Sequence, residues 1–416
     1  TLNVSLLGYT SQSIFIQLGI HQKIDISLEP KRFNLSVAEV RPDRSVVNLA
    51  KNLMNRVVDA KSSNDPKNIN AITHRFYERI ELDFNDVPHK LPTRKFWGEF
   101  RWIWSRLDSS ESRISLPWFI SESLGSIRTQ GKPYRIEKIV EQTRSTWSNE
   151  GLNTSSFTTQ IFNIDFYQNQ FVIFDKAFIS PLNNRGELFY RYYILDTLKV
   201  DDRSTFHVAF VPRRRGEYTF EGELWIDTLT LGLKKVESKI SESAYTNYIR
   251  SMNFTMNYAL RDDKWILLDK EDIFDIAYSR VVRNLGFYLK NTTVYYDHTF
   301  KDNWHRKDWT SRRDLSFVEG SYSSKEEDWI GKRPKPLTNK EEDIYQMVDS
   351  IQSMPQYNLL KGSFYSIITG RVKGKNFEFG PISEMYSYNN LEGNRFGIKL
   401  YTTNKLHSKF LPSVSL

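Results

Sequence analysis

Apolar and polar residues alternate with a period of two along most of this chain, the pattern of strands with one covered face. In residues 1–30, Val4 and Leu6 alternate with Ser5 and Leu7, and Gly8-Tyr9 forms a turn. Ile14 and Ile16 resume the alternation, Ile24, Ile26 and Leu28 share a face, and Pro30 stops it. So short a β segment buries no core of its own. It reads as the later part of a β-sandwich, and a chain that opens in mid-strand is expected to have been cut from a longer precursor at its start.

A helix follows, capped by Asp43 or Ser45, with Val46, Leu49, Ala50, Leu53 and Val57 as its apolar stripe and Pro66 as its stop. "HRFYERIELDF" is a strand that sets Phe76, Ile80, Leu82 and Phe84 against Tyr77, Arg79 and Glu81. Between 85 and 155 the signals are mixed. Trp97, Trp102 and Trp104 fall close together, and "PYRIEKIVEQTRST" has helical spacing. From about residue 160 the chain reads as an antiparallel meander with short Asp, Gly, Arg or Pro turns, from "LFYRYYILDTLKV" to "KWILLDKEDIFDIAY". One short helix, "ESAYTNYIRS", interrupts it. Residues 301–345 are charge-dense and read as a linker. A helix then presents Ile344, Met347, Val348 and Ile351 on one face. After Pro355 the pattern is β again, and Arg395–Tyr401 alternates as one two-faced strand.

Composition narrows the classes. A chain of 416 residues holds two or three domains at roughly 150 residues each. Its mean hydropathy is −0.54, and no run reaches the roughly 18–20 apolar residues of a membrane helix. Aromatics make up 14%, which favours β structure. The net charge of +8 is a weak pull toward polyanions, and no nucleic-acid motif accompanies it. With no cysteine, disulfides, zinc ribbons and thiol nucleophiles are excluded. The N-terminus lacks the basic and apolar regions of a signal peptide.

The motifs of catalysis are missing. The seven histidines, at 21, 74, 89, 207, 298, 305 and 407, include no HExxH pair. His74 and Glu78 share a strand face without a third ligand, and read as a surface pair. There is no G-x-S-x-G elbow, Walker loop or G-x-G-x-x-G. Asp201-Asp202 and Asp262-Asp263 fall at hairpin tips, where Asp serves turn geometry. Arg213–Arg215 reads as a solvated turn, with phosphate binding as the sharper alternative. The expectation is therefore a chain with no catalytic, metal or cofactor-binding residues.

Longer motifs carry a resemblance. "VSLLGYTSQSIFIQ", "IDISLEP" and "LSVAEVRP" resemble the end of the carboxypeptidase-regulatory-like domain of Bacteroidetes outer-membrane proteins, a small non-catalytic sandwich. "FISPLNNRGELFYRYYILDT", "FVPRRRGEYTFEGELWIDTLTLGLKKVE" and "ITGRVKGKNFEFGPISEMYSYNNLEGNRFGIKLYTTNK" resemble an uncharacterised Bacteroidetes family. There this domain precedes a periplasmic region and an outer-membrane β-barrel. The middle of the chain is similar to the curved half-barrel of periplasmic lipoprotein carriers. "DTL" at 196–198 and 227–229 and "DSI" at 349–351 resemble the O-glycosylation pattern of that phylum.

The resemblance implies a mainly β fold of the α+β kind in four parts. These are a partial β-sandwich at 1–41, a half-barrel-like periplasmic domain at 42–300 with an insertion at 85–155, a charged linker and short helix at 301–355, and the first barrel strands at 356–416. The expected function is non-enzymatic: envelope assembly or transport as a partner- or client-binding module, with 1–355 periplasmic and the last strands in the outer membrane. Expected partners are other outer-membrane or periplasmic proteins, the membrane itself, and a lipid or lipoprotein. Lipid or lipoprotein binding in the half-barrel cavity is the alternative, and an envelope-polymer hydrolase the second alternative.

Overall fold

The computed structural model describes residues 2–4, 12–14, 44–86, 95–146, 164–173, 176–200, 203–241, 244, 249–277, 286–309, 314–322, 325–352, 371–374, 376–380, 386–389, 393–397, 399–402 and 413–415. β1 (Leu2–Val4) and β2 (Gln12–Ile14) pair antiparallel. The other strands expected before residue 42 lie outside the described residues. α1 (Arg44–Asp59) buries Ala50, Leu53, Met54 and Val57. Leu49 departs from the expected stripe and is 61% exposed; Met54, one turn on, takes the inward place. Ser45 lies inside the helix and Asp43 outside the described residues. A short α2 (Lys61–Asn64) and a 3₁₀ turn started by Pro66 complete the stop.

β3 (Ala71–Asn85), β4 (Ser115–Gln130) and β5 (Arg135–Ser145) are long strands. β5 overturns the helical reading of "PYRIEKIVEQTRST". Ile136, Ile139 and Val140 mimic helical spacing because the strand also buries Glu137 and Arg144, which breaks the apolar alternation. The tryptophan-rich segment is a 3₁₀ helix, Lys95–Arg106. After the hairpin β6 (Gln170–Ile173) and β7 (Lys176–Ile179) comes a one-turn α3 (Gly186–Phe189). The meander is then β8 (Tyr190–Val200), β9 (Arg203–Pro212), β10 (Phe220–Asp227), β11 (Leu233–Ile240), β12 (Ile249–Arg261), β13 (Lys264–Ala277) and β14 (Gly286–Lys301). The expected interrupting helix falls mostly outside the described residues, and its end, Ile249–Ser251, begins β12.

β8 to β14 pair in sequence order, each antiparallel to the next. β3, β4 and β5 add beyond β14. β15 (Leu315–Phe317) closes that edge parallel to β5, giving an eleven-stranded sheet. Asp262 and Asp263 both take positive φ in the β12–β13 turn, the turn role expected for that pair. Asp201 and Asp202 lie outside the described residues.

α4 (Asn339–Gln352) buries Ile344, Met347, Val348 and Ile351, the face expected of it. β16 (Val372–Lys373), β17 (Phe377–Phe379), β20 (Lys399–Thr402) and β21 (Ser413–Ser415) form a four-stranded antiparallel sheet. β18 (Tyr386–Asn389) and β19 (Gly393–Phe396) form a separate hairpin. The single strand expected over Arg395–Tyr401 is therefore two strands in two sheets, the first ending at Phe396 before Gly397 and the second beginning at Lys399. Among the described residues these strands do not close a barrel.

The chain divides into two compact units. One comprises Thr1–Arg79, Ser123–Gln142 and Asn153–Ser321; the other comprises Ile80–Glu122, Thr143–Leu152 and Tyr322–Leu416. In the first, rings of Phe166, Phe171 and Phe178 pack on Phe220, and Phe254 joins Phe166, Phe220 and Phe274, with centroids 5.2–6.3 Å apart. In the second, Trp329 is fully buried within the segment read from sequence as a linker.

Candidate functional site

Charged side chains are buried at several places among the described residues, and three clusters show distinct chemistry. On one face of the large sheet, Lys270 and Asp272 of β13 stand directly opposite Thr293 and Asn291 of β14. Asn291 Nδ2 donates to Asp272 Oδ2 at 3.1 Å, and the Lys270 ammonium lies 3.4 Å from the same oxygen. Burial pushes the Asp272 carboxyl up, against the pull of Lys270 and Asn291. Glu78, on the sequence reading a surface partner of His74, is buried and accepts instead from Lys138 Nζ at 2.9 Å. His74 meets Tyr295 edge-on at 5.0 Å and His298 at 5.6 Å. Its Nδ1 is sealed from solvent without a hydrogen-bond partner, and burial, with His298 adding, pushes the imidazole down to about 3.

His207 of β9 was not singled out by its sequence neighbourhood. A bulge in β8 between Ile194 and Asp196 brings Asp196 opposite His207. Asp196 Oδ1 then lies 3.2 Å from Nδ1, and Glu223 Oε2 of β10 lies 2.7 Å from Nε2. The ring stacks on Trp225 at 4.5 Å. The imidazole is thus held between two carboxylates against a tryptophan ring.

The second unit holds the most heavily paired cluster. Arg333 donates to both oxygens of Glu122, at 2.6 and 2.9 Å, and also reaches Glu326. Tyr345 of α4 donates its hydroxyl to Glu122 at 2.8 Å, while Arg144 pairs with Glu326 and lies over the Tyr345 ring at 3.8 Å. Glu122 is wholly buried. Burial opposes the Arg333 charge, but the two carboxylates hold its pKa above the ordinary guanidinium value. The cluster thus ties Tyr345 of α4 to Glu122 of β4 through a buried carboxylate.

The Asp227–Gly232 turn accounts for one of the "DTL" segments. Asp227 accepts from Arg203 at 2.7 and 3.0 Å, from the Leu229 and Thr230 amides, and from the Thr230 hydroxyl. Trp265 Nε1 donates to that hydroxyl. The turn uses Thr230, not Thr228. Among the described residues no group of His, Asp and Glu is arranged to hold a metal ion. Trp102 and Trp104 are half-buried, and the Trp97 side chain lies outside the described residues.

What the sequence hinted at, and the structure relocates, is a two-faced sheet near the C-terminus. Val372, Phe379 and Leu400 stand directly opposite one another across β16, β17 and β20, with Phe377 two residues along the same face. Val372, Phe377 and Phe379 are 49, 40 and 47% exposed. The opposite face carries Lys373, Glu378 and Tyr401 in register. There Arg371 pairs with Glu378 at 3.7 Å and lies over the Tyr401 ring at 4.4 Å. The polar face thus satisfies itself while the apolar face is left to solvent. Phe396 of the neighbouring hairpin, 77% exposed, is a further apolar group.

Residues 53–295 match the model of a family of unknown function, DUF5686. Comparison with curated proteins finds no match. Among solved structures, a DUF1329 family protein from Desulfovibrio piger is 9% identical, covering 62% of this chain and 95% of its own, with a TM-score of 0.25. A putative outer membrane lipoprotein-sorting protein domain from Vibrio parahaemolyticus is 11% identical, covering 63% and 97%, with a TM-score of 0.24. A LolA superfamily protein from Nitrosomonas europaea is 12% identical, with the same coverage and a TM-score of 0.21. Scores of this size add nothing to what the sheet itself shows.

Proposed function

The chain belongs to that family of unknown function, DUF5686, and we propose that it is a non-enzymatic protein of the bacterial envelope. In this reading its large sheet serves as a partner- or client-binding module in the periplasm, and its C-terminal strands meet the outer membrane. The observation that carries the reading is the apolar row Val372–Phe379–Leu400, with Val372 and Phe379 49 and 47% exposed, backed by a polar face paired within the sheet. Water-exposed sheets normally reverse this, with the apolar side covered. A contiguous exposed apolar face marks an interaction or membrane site, and alternation of apolar and polar faces is what strands in lipid use. No helix among the described residues is long and apolar enough to cross a membrane.

A lipid-carrier role for the large sheet has less to rest on. Phe166, Phe171 and Phe178 pack around Phe220, which fills that part of the sheet with side chains.

The chain's lack of cysteine makes a direct test clean. Phe379→Cys, labelled with an environment-sensitive fluorophore, should shift to shorter wavelength in envelope membranes or lipid vesicles. An emission identical in buffer and in membranes would sink the reading.

A further inference from the structure

Six basic side chains gather where β9 turns into β10. Arg213, Arg214 and Arg215 form the turn itself, and all three are exposed. Arg191 lies beside them, since its residue stands opposite Val211 across the β8–β9 pair. Arg185 precedes α3, and Lys176 of β7 lies 5.9 Å from the Tyr218 ring. The acids that adjoin these residues in sequence are Asp175, Glu187 and Glu217, and Glu217 is already 3.6 Å from Arg214. The sequence offered this cluster only as a solvated turn or a phosphate site.

The turn is held in place from both sides. Gly216 takes φ 85°, which lets the chain reverse within the arginine run. The Arg213 amide donates to Phe189 O at 2.8 Å and its Nε to Tyr190 O at 2.9 Å. On the other side Ile179 N donates to Tyr218 O at 2.9 Å. The buried Tyr190 hydroxyl ties the two together, donating to Ile179 O and accepting from Phe220 N. Arg213 is therefore a structural strut, whereas Arg214 and Arg215 are presented on a fixed base. Two exposed apolar residues flank them: Leu188 on α3, 52% exposed, and Val172 on the β6–β7 hairpin, 61% exposed.

We propose that this rim docks on the phosphate headgroups of an anionic membrane surface. A fixed row of guanidiniums with an excess of positive charge is complementary to a plane of phosphates. The flanking Leu188 and Val172 suit shallow contact with the headgroup–acyl boundary. Arg214 and Arg215 are exposed on the turn, and Arg191, Lys176 and Arg185 belong to separate elements, β8, β7 and the approach to α3, which favours many headgroups over one small anion. This inference does not depend on the C-terminal sheet, since it concerns other residues and another kind of force.

The test is flotation of the full chain with vesicles of phosphatidylcholine alone and with phosphatidylglycerol added. Wild-type chain should bind the anionic vesicles more tightly and lose that excess as salt is raised. Arg214→Ala with Arg215→Ala should weaken binding to anionic vesicles about 30-fold, at about fivefold per arginine, and leave neutral vesicles unaffected. Phe377→Asp with Phe379→Asp removes the apolar component and should leave the anionic excess intact, so the two readings fail separately. The proposal is overturned if anionic lipid or salt makes no difference to the wild-type chain, a result that needs no variant to fold. It is also overturned if the folded double variant binds as wild type, or if inorganic phosphate or RNA competes at concentrations that should leave a membrane-docked chain in place.

Discussion

Glu122 and Arg333 show what a single pair carries in this molecule. A buried carboxylate whose bidentate partner is removed keeps its desolvation cost and loses the compensation. Arg333→Met should therefore cost about 3–5 kcal/mol in urea unfolding followed by tryptophan fluorescence. Adding Glu122→Leu should recover most of that loss, because it removes the stranded charge. Two other residues set separate acid limits. The His74 pKa is depressed from 6.5 to about 3, so the folded state resists a proton that the unfolded chain accepts. Stability should fall as pH drops from 6.5 toward 3, and His74→Phe should flatten that limb. Burial opposes ionisation of Asp227, but hydrogen bonds from Arg203 and Thr230 hold its carboxyl at about 2, below the ordinary 3.8. Its contribution is present above 3.8 and is lost as pH falls toward 2; Asp227→Asn should lower stability at neutral pH and remove that last decline. None of these roles was legible in the sequence. Glu122 and Arg333 are 211 positions apart, and His207 acquires its carboxylates only through a strand bulge. Local spacing carries no trace of either.

At the scale of elements the sequence was far more informative. α4 was legible because it buries a single face, and the meander because strands such as β12 alternate buried with less buried residues between short turns. Ile351→Ala on the α4 face should cost about 2–5 kcal/mol by denaturant unfolding. β5 was illegible for the opposite reason. Its buried positions include Glu137 and Arg144, so charge and burial are decoupled along it. Arg395–Tyr401 misled because alternation does not reveal a change of sheet between β19 and β20. A tighter constraint lies in β4, where a Cβ on Gly125 would stand 1.9 Å from Ile139 O and 3.0 Å from the Phe76 ring. Main-chain oxygen has nowhere to retreat within a paired strand. Gly125→Ala should cost more than about 3 kcal/mol, or leave the chain insoluble, in the same unfolding assay.

For the whole molecule, the mainly β class was legible from composition and alternation, while the surfaces that touch other things were only half so. The sequence pointed to a two-faced C-terminal segment but assigned it to one strand, and it left Arg213–Arg215 undecided. Which face is covered depends on pairing register, which a string of residues does not state. The exposed apolar face has a consequence for handling the chain in water: it should self-associate without detergent or lipid. Phe377→Asp with Phe379→Asp should reduce the particle size measured by light scattering, with the far-ultraviolet circular dichroism unchanged.

The span between Glu122 and Arg333 also orders events in time. A ribosome or a translocation pore delivers residue 122 long before residue 333, and the clamp on α4 needs both. Until the later arginine emerges, Glu122 has to stay hydrated, so the second unit cannot seal its interior around it. Completion of that unit therefore waits for residues late in the chain, and a nascent chain remains open there. A truncation ending before Arg333 would be a natural substrate for quality-control proteases rather than a smaller working protein.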